Sequence, residues 1–330
     1  MTKQIRKMKK IFFVAFAMMM AMNGCKAGVQ GENSVTAGNV VQEIRNVGEF
    51  NGVTLIGSHR VVCTPGKDYS VVVEAPKETA GRLLTEVKNG ILTISKEKIA
   101  GVRVVTSNKD DEKTTVYVTL PKLQIVHLMG SGDIIVKGKT EYNEKLRVSL
   151  VGSGNIEFDD IDVNFSDISL AGSGDIKINS IKTKLVELKL TGSGDMEVRN
   201  VYSDNTKVSL AGSGDVHVGQ VKGSNVAVSS TGSGDMKVDN VDCAMLNINH
   251  VSSCDVTIGN VKAVTTNVSK VGSGDLKLAG KTVYYNEVKH GSGKVDKGSL
   301  RYDKTKQKMQ GGWQIESSGT TSPNGIEAEP

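Results

Sequence analysis

The chain has 330 residues, enough to bury a sizeable core, and its formal net charge is +5. That charge comes from the N-terminus, because residues 1–24 hold five Lys or Arg and no acid, which leaves 36 basic and 36 acidic residues in the remainder. The net positive charge therefore lies in the first 24 residues and gives no argument for nucleic acid, which is not an expected partner.

The N-terminus has the pattern of an export signal. Five basic residues precede an uncharged apolar run over residues 11–22, which is too short to span a bilayer, and Asn23-Gly24-Cys25 follows it. A small residue directly before a cysteine resembles the lipobox of bacterial lipoproteins. The resemblance implies a signal peptide over residues 1–24, a lipidated Cys25 that anchors the protein to a membrane, and a flexible linker over residues 25–44. Ordinary secretion is the alternative.

Cys63, Cys243 and Cys254 are the other cysteines. Three cysteines allow at most one internal disulfide, and their spacing does not resemble a zinc site. The sequence leaves open whether Cys243 pairs with Cys254.

Residues 45–128 are rich in predicted strands and have no strict repeat. Alternating or β-branched runs lie at residues 53–56, 69–73, 91–94 and 115–120, and residues 77–87 read as one or two helical turns. We expect this segment to form the first coils or the cap of the repeat region that follows.

The repeat region, residues 129–300, is organised around Gly-Ser-Gly. The motif begins at Gly130, Gly152, Gly172, Gly192, Gly212, Gly232, Gly272 and Gly291, and Ser252-Ser253-Cys254 fills the missing place. From Gly152 to Gly272 the step is twenty residues without insertion or deletion.

Aligning the copies places apolar residues in columns with period-two alternation, as in Asp175-Ile176-Lys177-Ile178. A propeller blade needs about forty residues, whereas a β-helix coil needs about twenty. The sequence therefore predicts an all-β parallel β-helix of about twenty-residue coils. The last residues, 301–330, are predicted to form a C-terminal cap, with Trp313 closing the end, and a disordered tail.

A lipobox, a strand-rich lead-in ending in VTLPKLQIVHLMGSGDI and serial GSGD copies resemble the family described as putative auto-transporter adhesin, head GIN domain. Members of that family are secreted or lipid-anchored proteins common in Bacteroidetes. The resemblance covers roughly residues 45–300 and implies a β-helical fold; it carries no catalytic motif.

An acidic residue follows most copies of the motif. Stacked carboxylates repel each other, so a Ca²⁺ ion between coils is one hypothesis for this ladder. The alternative is that each Asp accepts a hydrogen bond from backbone N–H groups at its own corner. The candidate calcium ligands are Asp175, Asp195, Asp215 and Asp235.

One apolar column changes character near the C-terminus. Two residues before the motif stand Leu150, Leu170, Leu190 and Leu210, and then Ser230, His250 and Lys270. A lysine is not expected unpaired in a dry core. The three polar residues therefore either line a local groove or lie exposed where the helix widens.

The sequence offers no defensible catalytic arrangement, and a step without insertions leaves no long loops to hold one. The first hypothesis is therefore a non-enzymatic adhesin or binding module of the cell envelope, lipid-anchored at the outer membrane, that takes a glycan or another protein. The second is a periplasmic structural or regulatory protein with no extended ligand. No cofactor is expected apart from the calcium hypothesis.

Overall fold

The computed structural model describes residues 40–96 and 113–303. The strands and the single short helix of these ranges are β1 Val40–Arg45, β2 Gly52–Gly57, β3 Arg60–Pro65, β4 Ser70–Pro76, α1 Lys77–Arg82, β5 Leu83–Lys88, β6 Ile91–Lys96, β7 Thr115–Leu120, β8 Ile125–Gly130, β9 Asp133–Gly152, β10 Asn155–Gly172, β11 Asp175–Gly192, β12 Met196–Gly212, β13 Val216–Gly232, β14 Met236–Val251, β15 Val256–Val271, β16 Leu276–His290 and β17 Val295–Arg301.

Strands β9 to β17 stack in chain order, and each pairs in parallel with the next. In the regular coils the register equals the repeat, so that Ile156 lies beside Ile176 and Ile176 beside Met196. Like residues therefore stack on like about every 4.8 Å. The predicted parallel β-helix is confirmed.

Each coil has three sides, and the burial pattern shows where they meet. Side chains alternate between interior and surface except at residues 159–160, 164–165 and 171–173 of the coil that contains β10, where consecutive residues face outward. Pairing is also interrupted near the first two of these places. Three corners per coil follow, of which the Gly-Ser-Gly motif forms one.

Close approach of successive coils explains the two glycines. A Cβ on Gly194 would lie 1.9 Å from the carbonyl oxygen of Gly174 in the preceding coil, and Gly192 has φ +136°. The carbonyl of Gly172 accepts the N–H groups of Ser193 at 2.9 Å and Gly194 at 3.1 Å. The corner is therefore held by backbone hydrogen bonds that leave no room for side chains.

The lead-in contains a further corner that the repeat count missed. Gly57-Ser58-His59 joins β2 to β3, Gly57 lies in register with Gly130, and Ser131 N–H donates to the Gly57 carbonyl at 3.1 Å. Strands β2 and β3 therefore belong to the first coil. The strands predicted at residues 53–56, 69–73, 91–94 and 115–120 are present. The helix predicted over residues 77–87 ends at Arg82, and Leu83–Lys88 forms β5 instead because its backbone pairs antiparallel with β6.

The predicted linker extends too far toward the repeat. Residues 40–45 form β1 because their backbone groups pair antiparallel with β4, from Val40 opposite Pro76 to Arg45 opposite Val71. The predicted signal peptide, Cys25, Trp313 and the predicted C-terminal tail lie outside the described residues. In the two described ranges, no helix has the length and apolar character needed to cross a membrane.

Candidate ligand-binding groove and interior polar cluster

The aspartates after the motif form a ladder of backbone caps. Oδ1 of Asp195 accepts the N–H of Asp215 at 3.0 Å, and Oδ1 of Asp215 accepts the N–H of Asp235 at 2.8 Å. The same bond runs from Asp195 N–H to Asp175 at 3.2 Å. The backbone N–H of the Asp in the next coil therefore partly offsets the charge of each carboxylate, and one of the carboxylate's two oxygens is already occupied.

Calcium binding by Asp175, Asp195, Asp215 and Asp235 stays a prediction. Among the described residues, no three His, Cys, Asp or Glu side chains converge as a metal site. The capping geometry leads us to expect an unchanged melting temperature in millimolar Ca²⁺ and a near-neutral effect of Asp195→Asn/Asp215→Asn, which keeps the acceptor oxygens. A rise in melting temperature with Ca²⁺ that this double variant removes would establish the ion instead.

Ser230, His250 and Lys270 lie in the interior and line no surface groove. Their exposed fractions are 1%, 0% and 0%, so the alternative of an exposed, widened end is also wrong. The three follow the leucine column in register, from Leu210 to Ser230, His250 and Lys270. Their side chains face inward because the alternation along each strand directs these positions to the interior, even though the residues are polar.

These residues are part of a larger buried cluster. The Nδ1 atom of His250 lies 2.7 Å from Ser230 Oγ and 3.1 Å from Ser252 Oγ, and Ser252 Oγ lies 2.9 Å from Cys254 Sγ. Lys270 Nζ donates to the Gly272 carbonyl at 3.3 Å. The altered motif Ser252-Ser253-Cys254 thus places Ser252 and Cys254 in contact with the column of Ser230, His250 and Lys270.

Burial sets the electrostatics of this cluster. Desolvation lowers the pKa of His250, the nearby Lys270 lowers it further, and a backbone hydrogen bond at Gly274 together with Asp255 and Asp275 opposes the shift. The imidazole is therefore held neutral, and the cluster lacks the exposed approach that a substrate would need.

The outer face of the side that precedes the motif is charged in its N-terminal coils. Asp167 lies 3.5 Å from Lys145, 3.8 Å from Arg147 and 3.5 Å from Lys189. These pairs are partly exposed, so each contributes little to stability.

The same face carries no charged side chain between Lys207 and Glu287 in the C-terminal coils. A groove of about 580 Å³ crosses β12 to β16, with Lys207 at one end and Glu287 at the other. Its floor between them carries only amides, hydroxyls and small apolar groups, at Ala227, Ser229, Asn247, Asn249, Asn267, Ser269 and Asn286. We call this feature the asparagine groove.

A ladder of amides runs along this groove. Asn267 Nδ2 donates to Asn247 Oδ1 at 2.8 Å, and Asn286 Nδ2 donates to Asn267 Oδ1 at 2.8 Å. Each primary amide has two N–H donors and an oxygen with two lone pairs. The ladder bonds occupy one donor of Asn267 and one acceptor each of Asn247 and Asn267.

Sequence reasoning missed the groove, although a signal was present. Asn247 and Asn267 stand twenty residues apart in an outward column, but Asn286 is displaced by one residue, since the last step of the repeat is nineteen.

The three free, buried cysteines of the described residues, Cys63, Cys243 and Cys254, show no disulfide. Burial raises the pKa of the Cys243 thiol to about 11.

Comparison with known proteins gives two family matches and several structural ones. The family model described as putative auto-transporter adhesin, head GIN domain, matches residues 49–233, and the model described as Toastrack matches residues 191–329. No curated protein matches the chain.

Three solved structures are similar in fold. A putative adhesin from Parabacteroides merdae is 16% identical, with a TM-score of 0.59 over 81% of this chain and 98% of its own. A putative adhesin from Bacteroides fragilis is 19% identical, with a TM-score of 0.57 over 71% of this chain and 100% of its own. A putative lipid binding protein from Parabacteroides distasonis is 21% identical, with a TM-score of 0.50 over 81% and 98%.

Proposed function

The chain belongs to the putative auto-transporter adhesin, head GIN domain family, and from that membership we propose that it is a non-enzymatic binding protein of the cell envelope. We propose that its ligand is an extended, uncharged glycan held in the asparagine groove. The observation that carries the proposal is the change of one face from ion pairs to a row of amides and hydroxyls over consecutive coils.

The chemistry of the groove fits sugar hydroxyls. A hydroxyl both donates and accepts, and the amides of Asn247, Asn267 and Asn286 offer both roles in a row along the solenoid axis. The volume lies in the range of small-ligand sites. A charged polymer is disfavoured because the central lining contains no opposite charge to replace its lost hydration.

Amide ladders also occur where no groove exists, so the ladder alone does not define the site. Asn225 Nδ2 donates to Asn205 Oδ1 at 2.9 Å on a column outside the groove. This pair provides a matched control, because its two amides form the same kind of stacked hydrogen bond on a column that lies outside the groove.

We expect Asn247→Ala/Asn267→Ala to abolish binding to the neutral members of an oligosaccharide array that the unaltered protein binds. Asn205→Ala/Asn225→Ala should leave that binding intact, because it removes a ladder outside the groove. Equal melting temperatures would show that both variants fold. Loss of binding in both variants, or preferential binding of sulfated sugars, would contradict the proposal. No binding to any glycan would favour a structural envelope protein.

We further propose that Cys25 carries a lipid that anchors the chain to the outer membrane. The support is the sequence pattern at residues 1–25 together with the adhesin family. Metabolic labelling with a fatty acid, compared between the unaltered protein and Cys25→Ala, tests it.

A further inference from the structure

At the C-terminal end of the solenoid, the pairing of the last two strands stops before the longer of them ends. Strand β17 pairs with β16 as far as Lys281 and Arg301, whereas β16 continues to His290. Beyond that pair, the N–H of Asp303 donates to the Val283 carbonyl at 3.4 Å. The described range therefore ends while the backbone still runs along β16.

The corner that follows β16 lacks its usual partners among the described residues. In the regular coils, the carbonyl of the first motif glycine accepts two N–H groups of the next coil, as Gly172 does from Ser193 and Gly194. The carbonyl of Gly291 accepts no N–H from any residue of the described ranges. Gly291 is also exposed, whereas Gly172 is half-buried. An open acceptor at the end of a sheet is a template for one more strand.

The sequence beyond the described residues repeats the motif once more. Gly311-Gly312-Trp313 stands twenty residues after Gly291-Ser292-Gly293. Ile315 stands twenty residues after Val295, which lies in register with Leu276 in an apolar column. The repeat step of the regular coils thus extends past Gly291 with both the corner and the apolar position in place.

The residues between that corner and Asp303 have the pattern of a strand. Residues 304–309 read Lys-Thr-Lys-Gln-Lys-Met, so that lysine occupies every second position. The Toastrack model, which matches residues 191–329, includes this segment. Lysine on the outermost strand of a sheet discourages pairing with a second chain. The composition therefore fits the last strand of the solenoid.

We propose that residues 304–316 form one further coil, which covers β16 and β17 and ends the solenoid. The N–H groups of Gly312 and Trp313 donate to the Gly291 carbonyl, and Ile315 continues the apolar column of Val295. The edge is thus occupied by the protein's own chain. This assignment is independent of the proposed glycan site and of the proposed lipid anchor.

Trp313 stands where a regular corner has its second glycine. A side chain at that place is accommodated within the solenoid at Cys254 and at its start at His59, both of which are buried. A last coil has a neighbour on one side only, so it can tilt to admit a ring that two neighbours would exclude. We expect the ring of Trp313 to be buried as His59 is.

Trp313 is the only tryptophan of the chain, so its fluorescence reports on this corner alone. The experiment uses a chain that begins at Lys26, which keeps every described residue and omits the apolar run at residues 11–22. We expect the indole to emit at a shorter wavelength, and to be less accessible to acrylamide, than in the same protein unfolded in guanidinium chloride. Sedimentation equilibrium should show a monomer.

The test variant is Gly311→Val, because the first motif glycine of the described corners from Gly130 to Gly291 has φ between +104° and +154°, where a β-branched residue is strained. Gly319→Val is the matched control, since it makes the same change outside the proposed coil. We expect Gly311→Val to raise acrylamide quenching nearly to the unfolded value and to lower the melting temperature by about 5 °C. Gly319→Val should change neither. A chain that ends at Glu316 should melt like the full chain.

Three results would overturn the proposal. The first is an indole that is as accessible to acrylamide in the folded protein as in the unfolded one. The second is an equal response of Gly311→Val and Gly319→Val. The third is a dimer whose indole becomes accessible on dilution, which would assign the edge to a second copy of the chain. None of these results depends on glycan binding, which tests the asparagine groove separately.

Discussion

Gly194→Ala is expected to lower the free energy of unfolding by about 3 kcal/mol or more. The added Cβ would lie 1.9 Å from the Gly174 carbonyl oxygen and within 3 Å of two further backbone carbons of the preceding coil. The backbone of the preceding coil cannot move away without stretching the hydrogen bonds that join the two coils. Chemical denaturation followed by circular dichroism measures the change.

Ser193→Ala is the control for this prediction, because Ser193 lies exposed between the two glycines of the same motif. It should change the free energy of unfolding by less than about 0.5 kcal/mol. If Gly194→Ala were as stable as Ser193→Ala, successive coils would lie farther apart at this corner than they do in the structure, which would contradict the prediction. The prediction applies to the regular coils, since Cys254 and His59 replace this glycine in the altered motif and in the lead-in corner.

His250→Leu is expected to remove a loss of stability in acid. The pKa of His250 is lower in the folded protein than in the unfolded chain, where it is about 6.5. Stability is therefore complete above about pH 6.5, and it falls as the pH drops from that value through the lower folded pKa. The slope approaches about 1.4 kcal/mol per pH unit within that window. The leucine continues the column of Leu170, Leu190 and Leu210.

Chemical denaturation of the unaltered protein and of His250→Leu between pH 7 and pH 5 measures this slope, because histidine side chains change charge in this pH range. His290→Gln is the control, because His290 is exposed. The groups that face His250 are Lys270 from the next coil, which disfavours its protonation, and Asp255 and Asp275, which favour it. An identical slope in His250→Leu and the unaltered protein would show that the buried imidazole does not titrate on unfolding.

The sequence was sufficient to predict the β-helix because its constraint is repeated. Ile156, Ile176 and Met196 recur at one spacing, and a strand in register puts all of them inside. Two interior columns were missed because polar or small residues interrupt them, as Thr183 and Ser203 do in one and Ser166, Thr206 and Thr266 do in the other. Ser166, Thr206 and Thr266 are buried as deeply as the valines, since position in the coil, rather than hydropathy, decides which way they face.

Two other features were beyond single-sequence reasoning. The corner Gly57-Ser58-His59 is separated from Gly130 by the strands β4 to β7, which hide the period, and it lacks the second glycine. The burial of Lys270 contradicts the rule that a lysine avoids the core, and the rule fails because the neighbouring coils impose the register. The asparagine groove required knowledge of which outward columns adjoin, and that depends on where the corners fall.

The most direct test of the proposed glycan site is backbone hydrogen–deuterium exchange with and without a neutral oligosaccharide that the protein binds on an array. A glycan in the asparagine groove should slow exchange in the segments around residues 227–229, 247–249 and 267–269, and leave the equivalent segments around 167–169 and 187–189 unchanged. Protection that falls on the charged N-terminal coils, or on a different side of the solenoid, would contradict this assignment of the site.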